Sequence, residues 1–295
     1  MNRRVLGGWG TLFIIALLLV SWSHPVISHS ATRTITSQTR TKPRAHPSKR
    51  TAIPTLFMHG FGGNASGTSN LIDSAQAAGY ATRTLLVTVS AHGKLSWHGS
   101  WPPKTKHPEI QIVFQANRNR NYAQDARWLK KIIVALQTTY QIKSFNYVGH
   151  SMGNTDIMAY ETIYGQKKQL PQLRKYVAIA PPMEGNIHMY PWTINLTLNA
   201  NGRPNRFTPE YRRLVNGRRN LPKNQLRILS LYGNLDDGTR TDGTISIASA
   251  QSLRYLVANH AKSFKEVAFH GENTQHRALT RRNPDVVSAM EKFLW

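Results

Sequence analysis

The chain contains no cysteine and only 14 acidic residues among 295. The absence of cysteine excludes a disulfide framework, a thiolate nucleophile, Cys-ligated zinc and lipid attachment through cysteine. It is compatible with export from a Gram-positive cell. The shortage of acid leaves 38 Lys and Arg largely unmatched, for a formal net charge of +24. Such a charge predicts attraction to polyanions. No internal repeat and no readout motif of a nucleic-acid module is present, so nucleic acid is not the expected partner.

What is present divides into three. Arg3 and Arg4 precede an apolar run over residues 5–20, and small and polar residues follow to Ala31. A basic start, an apolar middle and a small-residue exit make residues 1–31 a secretory signal, with cleavage after Ser28 or Ala31. The run also sits at the lower length limit for crossing a bilayer, so the alternative is an uncleaved N-terminal anchor. Residues 32–50 are rich in Ser, Thr, Pro and basic residues and read as a solvated linker. The first fifty residues hold eight Lys and Arg and no acid, which leaves +16 on the remainder. The domain itself is therefore basic. For an exported protein the expected polyanion is a cell-wall polymer or a membrane surface.

From residue 51 to 295, short apolar runs alternate with longer amphipathic stretches, the pattern of a mostly parallel α/β sheet with helices on both faces. Strands are expected at 53–58, 83–89, 110–114, 145–149, 176–180, 226–232 and 264–269. Helices are expected over Tyr122–Tyr140, Met152–Tyr164, 249–260 and Pro284–Leu294, the last capped by Asn283. Two segments break the rhythm, 91–107 and 181–224. Insertions of this kind usually gather at the carboxyl ends of strands, and the second is expected to form a lid over a site there.

Gly149-His150-Ser151-Met152-Gly153 follows a strand-like run and leads into a helix-like one. This context makes G-x-S-x-G a nucleophile elbow: a sharp turn projects Ser151, and the small flanking Gly149 and Gly153 let strand and helix close up. An oxyanion hole is expected upstream, where an apolar strand runs into His59-Gly60-Phe61-Gly62-Gly63. The N–H groups of Phe61 and Met152 are the expected donors, with Gly60 and Gly62 giving the backbone room to approach. A serine hydroxyl needs a histidine base oriented by a carboxylate, and in such a fold the chain order is Ser, acid, His. Of His188, His260, His270 and His276, the last sits between the final strand and the final helix, where the base belongs; His270 is its rival. Three acids follow strand 226–232. Asp242 is favoured because Asp242-Gly243-Thr244-Ile245 is similar to the stretch that carries the acid in many bacterial lipases; Asp237 and Asp236 are the alternatives.

Together these motifs resemble an α/β-hydrolase family of Gram-positive cell-surface hydrolases of unknown function. The resemblance rests on 57–64, 148–153, 232–238 with 241–243, 271–276 and the terminal Phe293-Leu294-Trp295, and it spans residues 53–295. It implies the α/β-hydrolase fold and a Ser151–Asp242–His276 triad acting on carboxylic esters, without metal or organic cofactor. The chain is expected to act as a monomer. Two departures stand out: Asn154 where many members have glycine, and Arg277 where a small polar residue is common. A non-catalytic wall-polymer binding protein, or an acyltransferase or peptidase with the same triad, are the alternatives.

Overall fold

The computed structural model describes residues 52–295. The expected signal or anchor and the linker lie outside the described residues. Eight strands, β1 (Thr55–Met58), β2 (Thr82–Val89), β3 (Leu95–Gly99), β4 (Pro108–Phe114), β5 (Ser144–His150), β6 (Gln172–Ile179), β7 (Arg227–Asn234) and β8 (Ser263–His270), form one sheet in the order β3-β2-β4-β1-β5-β6-β7-β8. All pairings are parallel except β2 with β3. The helices are α1 (Ser66–Ala77), α2 (Tyr122–Tyr140), α3 (Met152–Tyr164), α4 (Pro209–Gly217), α5 (Ile247–Gln251), α6 (Leu253–Val257), α7 (Ala278–Arg281) and α8 (Pro284–Leu294).

Two cores sandwich the sheet. On one face α2 and α3 bury Leu129, Ile133, Leu136, Ile157 and Met158 against Leu56, Ile110 and Tyr147. On the other, α1, α7 and α8 bury Leu71, Ile72, Leu279, Val286 and Met290 against Phe57, Val148 and Val177. The helical spacing of Ala126, Leu129, Ile133 and Leu136 thus marks the buried stripe of α2. Asn121 caps that helix by accepting from Gln124 N–H, and Asn283 caps α8 by accepting from the N–H groups of Asp285 and Val286.

The structure adds helices α1, α4 and α7 to those expected, and it differs from the sequence-based expectation in further places. The helix expected over 249–260 is two short helices that break at Ser252, whose hydroxyl donates back to Ser249 O at 2.7 Å. Segment 91–107 does not gather at the carboxyl edge. It contains β3, an antiparallel edge strand that returns the chain to the amino edge of the sheet. Strand β1 starts at Thr55 rather than 53, because Pro54 has no N–H to give a ladder. Among the described residues, no helix is long and apolar enough to cross a membrane.

Candidate active site

The turn from β5 to α3 places Ser151 at the carboxyl edge of the sheet with φ 51° and ψ −125°, a conformation that costs a non-glycine residue strain. Ser151 N–H donates to Ile179 O at 3.0 Å, which ties the turn to the neighbouring strand. Asn154 completes the clamp. Its Nδ2 donates to Ser151 O at 3.0 Å and Ile179 O at 2.9 Å, while its Oδ1 accepts from the Tyr176 hydroxyl at 3.0 Å. A Cβ on Gly153 would sit 2.9 Å from His59 O, so the helix approaches the upstream loop only because that residue is glycine.

The loop after β1 is held just as closely. A Cβ on Gly60 would lie 2.7 Å from Ser151 Cβ and 3.3 Å from its Oγ. Gly62 N–H donates to Asn117 O at 2.7 Å, and Asn117 Nδ2 returns a bond to Gly63 O at 2.8 Å. His59 is fully buried beneath the loop. Its Nε2 accepts from Phe114 N–H at 3.1 Å, so the proton sits on Nδ1, which donates to Gly60 O at 2.8 Å. Burial lowers the His59 pKa and keeps this neutral tautomer. Phe61 N–H has no acceptor among the described residues. Met152 N–H, at the first position of α3, belongs to the donors that a helix start leaves unpaired. The two residues expected to supply the oxyanion donors thus line the same cavity as Ser151, and His59 and Asn117 brace the loop in a way the motif reading missed.

Beyond β7, Asp242 is almost wholly buried, and its Oδ2 accepts from His276 Nδ1 at 2.7 Å. Its Oδ1 accepts from the N–H groups of Thr244 at 3.0 Å and Ile245 at 2.7 Å. The alternatives are elsewhere. Asp236 is exposed and takes the Nδ1–H of His270 at 2.9 Å, while Asp237 bonds only to Thr239. Ser151, His276, Phe61 and Met152 line one cavity of about 440 Å³, and His188 joins its wall from segment 181–224. Asp236, Asp237, His260 and His270 do not line it.

His150, the variable residue of the elbow, is a further part that the sequence hid. Its Nε2–H donates to His276 O at 3.0 Å, and the two rings lie 4.7 Å apart. Burial above all, and then the nearby His276, hold the His150 pKa well below that of free histidine. It therefore steadies the loop that carries His276 without adding a second positive charge. Segment 181–224, expected to form a lid, supplies Met183, Met189 and Tyr190 to the cavity wall. Chemically, the arrangement offers a hydroxyl on a strained turn, an oriented imidazole and two N–H donors on one cavity.

The family described as alpha/beta hydrolase of unknown function (DUF915) matches residues 42–295. The crystal structure of the lin2722 gene product of Listeria innocua is 26% identical, with a TM-score of 0.72 over 82% of this chain and 94% of that one. A Lactobacillus plantarum protein described as a cell surface hydrolase is 22% identical, with a TM-score of 0.63 over 82% of this chain and 91% of that one. At that identity the second likeness speaks for the fold alone. No curated protein matches the chain.

Proposed function

Because the chain belongs to the DUF915 family of α/β hydrolases, we propose that it is a serine hydrolase of carboxylic esters that uses Ser151, His276 and Asp242 as its triad. The observation that carries this reading is the buried 2.7 Å bond between Asp242 Oδ2 and His276 Nδ1. It leaves Nε2 of the imidazole unprotonated, and the ring lines the same cavity as Ser151. Nε2 accepts the Ser151 proton as Oγ bonds to the ester carbonyl carbon. The carbonyl oxygen becomes an oxyanion held by the Phe61 and Met152 N–H groups. As the ester C–O bond breaks, Nε2–H passes its proton to the departing alcohol. Water, deprotonated by the same nitrogen, then releases the acid from Ser151.

The test is a chain-length panel of activated esters run beside covalent labelling with a fluorophosphonate. Ser151→Ala is expected to abolish labelling and to cut turnover by about 10⁶-fold, as removing a triad nucleophile does. Full esterase activity in that variant would overturn the reading. The basic start and apolar run of residues 1–20 support a place outside the membrane. Protease shaving of intact cells checks this.

A second role has its own support. A second cavity, about 1070 Å³, lies at the amino edge of the sheet, at the opposite end of the strands from Ser151. Lys104, Lys106, Arg174, Lys175, Arg227 and Lys262 line it, and no Asp or Glu side chain does. Such a groove suits retention on an anionic wall polymer by charge, independent of catalysis. Co-sedimentation with purified wall that disappears in high salt, but survives Ser151→Ala, is the expected result.

A further inference from the structure

The rim of the Ser151 cavity is cationic and unneutralised. On one side the guanidinium groups of Arg118 and Arg120 stand 5.6 and 5.3 Å from the centre of the Phe61 ring. Arg118 also packs on the oxyanion loop, its Nη2 only 3.7 Å from where a Gly62 Cβ would be. From the loop after β8, Arg277 follows His276, and Arg281 lies one turn further along α7, donating to Ser66 Oγ, just beyond the loop that carries Phe61, at 3.3 Å. Both of these line the cavity. Among the described residues none of the four forms an ion pair. The one acid on the cavity wall, Glu210, already accepts from the Tyr190 hydroxyl at 2.9 Å.

A chain with a net charge of +24 carries basic residues on most of its surface, so their presence alone decides nothing. Their kind and place do. The amino-edge groove mixes Lys and Arg, whereas the catalytic cavity and its rim carry only Arg. The planar fork of Arg suits two-point recognition of phosphate, where Lys offers a point charge. Two of the four are held on Phe61, whose N–H faces the developing oxyanion. The other two share the cavity wall with His276, beside which the leaving alcohol must pass when the imidazole protonates it. Segment 181–224 contributes apolar wall through Met183 and Met189.

We propose that the natural substrate is an ester with an apolar acyl part and a phosphate group on its alcohol part, with Arg120 and Arg281 as principal phosphate contacts. The inference rests on the serine-hydrolase reading of this cavity. The attraction acts on substrate capture, so it raises kcat/KM for the phosphorylated ester over that of its neutral counterpart.

The experiment compares kcat/KM of the full-length chain for butyryl glycerol phosphate and for butyryl glycerol, at low and high sodium chloride. The expected preference is about tenfold or more for the phosphorylated ester, as charge-assisted contacts supply, and it shrinks in high salt. In the double variant Arg120→Gln, Arg281→Gln the ratio between the two esters falls towards one; because a ratio is read, loss of folded enzyme cancels. A wild-type ratio near one, or a ratio that the double variant leaves intact, overturns the proposal. Protection of Ser151 from a fluorophosphonate by glycerol phosphate, compared with glycerol, gives a reading that needs no turnover. Equal protection also overturns it. Absence of labelling at Ser151 means instead that the hydrolase reading has failed, and the substrate assignment falls with it.

Discussion

Asp242 holds His276 twice: its Oδ2 accepts from the imidazole Nδ1–H at 2.7 Å, and its carbonyl accepts from the His276 backbone N–H at 2.8 Å. Ring and backbone are therefore positioned by one residue, whose other carboxylate oxygen is anchored to Thr244 and Ile245.

Asp242→Asn separates these roles. The amide oxygen still accepts from Thr244 and Ile245 and the backbone bond remains, so the fold is kept. The amide nitrogen, however, faces His276 Nδ1 and forces the proton to Nε2, where it cannot take the Ser151 proton. Turnover of an activated ester is expected to fall by about 10⁴-fold with an unchanged circular dichroism spectrum. Asp236→Asn and Asp237→Asn are expected to stay within about twofold of wild type, since both acids are exposed and outside the cavity. A large loss in either one, with Asp242→Asn active, would show that the acid had been misassigned.

How much of this was legible in the sequence depends on the range of the interaction. Ser151, Gly149 and Gly153 belong to a local motif whose strand and helix flanks carry their own periodicities, and α2, α3 and α8 lie over the expected residues. Helix α1 was missed although Thr68, Leu71, Ile72 and Ala75 repeat at helical spacing, because its Gly- and Ser-rich start resembles a loop. Strand β3 was missed because an edge strand with half-exposed residues has little apolar signal. The acid was narrowed but not decided: Asp236, Asp237 and Asp242 are all turn formers in one loop, and only burial beside His276 separates them. His59, Asn117, Asn154 and His150 act through partners 25 to 126 residues away, or through a tautomer, and no local pattern reports that.

Asn154 stands where glycine is common in the family the sequence resembles, and its side chain spans Ser151 O, Ile179 O and the Tyr176 hydroxyl. In Asn154→Ala the two carbonyls keep backbone donors, but the buried hydroxyl loses its acceptor, which costs about 1–3 kcal/mol. Asn154→Asp keeps the size and aims carboxylate oxygens at two carbonyls, so it is expected to be worse. Thermal midpoints should rank Asn above Ala above Asp, with kcat falling in the same order as the elbow loosens. An Asp variant as stable as the Ala variant would contradict the donor role.

Gly60 faces Ser151 closely enough that one methyl group must displace either the loop after β1 or Ser151 itself. Gly60→Ala is expected to slow fluorophosphonate labelling of Ser151 by about 10²-fold, the scale of losing one oxyanion donor. The thermal midpoint should move far less, because the strain falls on a loop and not on either core. Wild-type labelling kinetics in this variant would mean that the loop has room the structure denies it.

Glu109 links stability to pH at the amino edge of the sheet, away from the catalytic cavity. It is buried in β4 with neither carboxylate oxygen hydrogen-bonded among the described residues. Burial is the main reason that its pKa rises from 4.5 to about 8; Arg83 pulls the other way, but is itself paired with Asp73 at 2.7 Å. The folded protein therefore keeps a proton that the unfolded chain releases above pH 4.5. The stability that this proton represents is fully present below pH 4.5 and is lost as pH rises to about 8, at up to about 1.4 kcal/mol per pH unit. Glu109→Gln cannot ionise and escapes that loss. Glu161 and Glu184, raised to about 8 and about 7, add slopes of the same sign to both proteins, so the difference between them isolates Glu109. Urea unfolding across pH 4 to 8 should show the Gln variant gaining steadily on wild type. A gap that stays constant over this range would mean that Glu109 is already ionised in the folded protein.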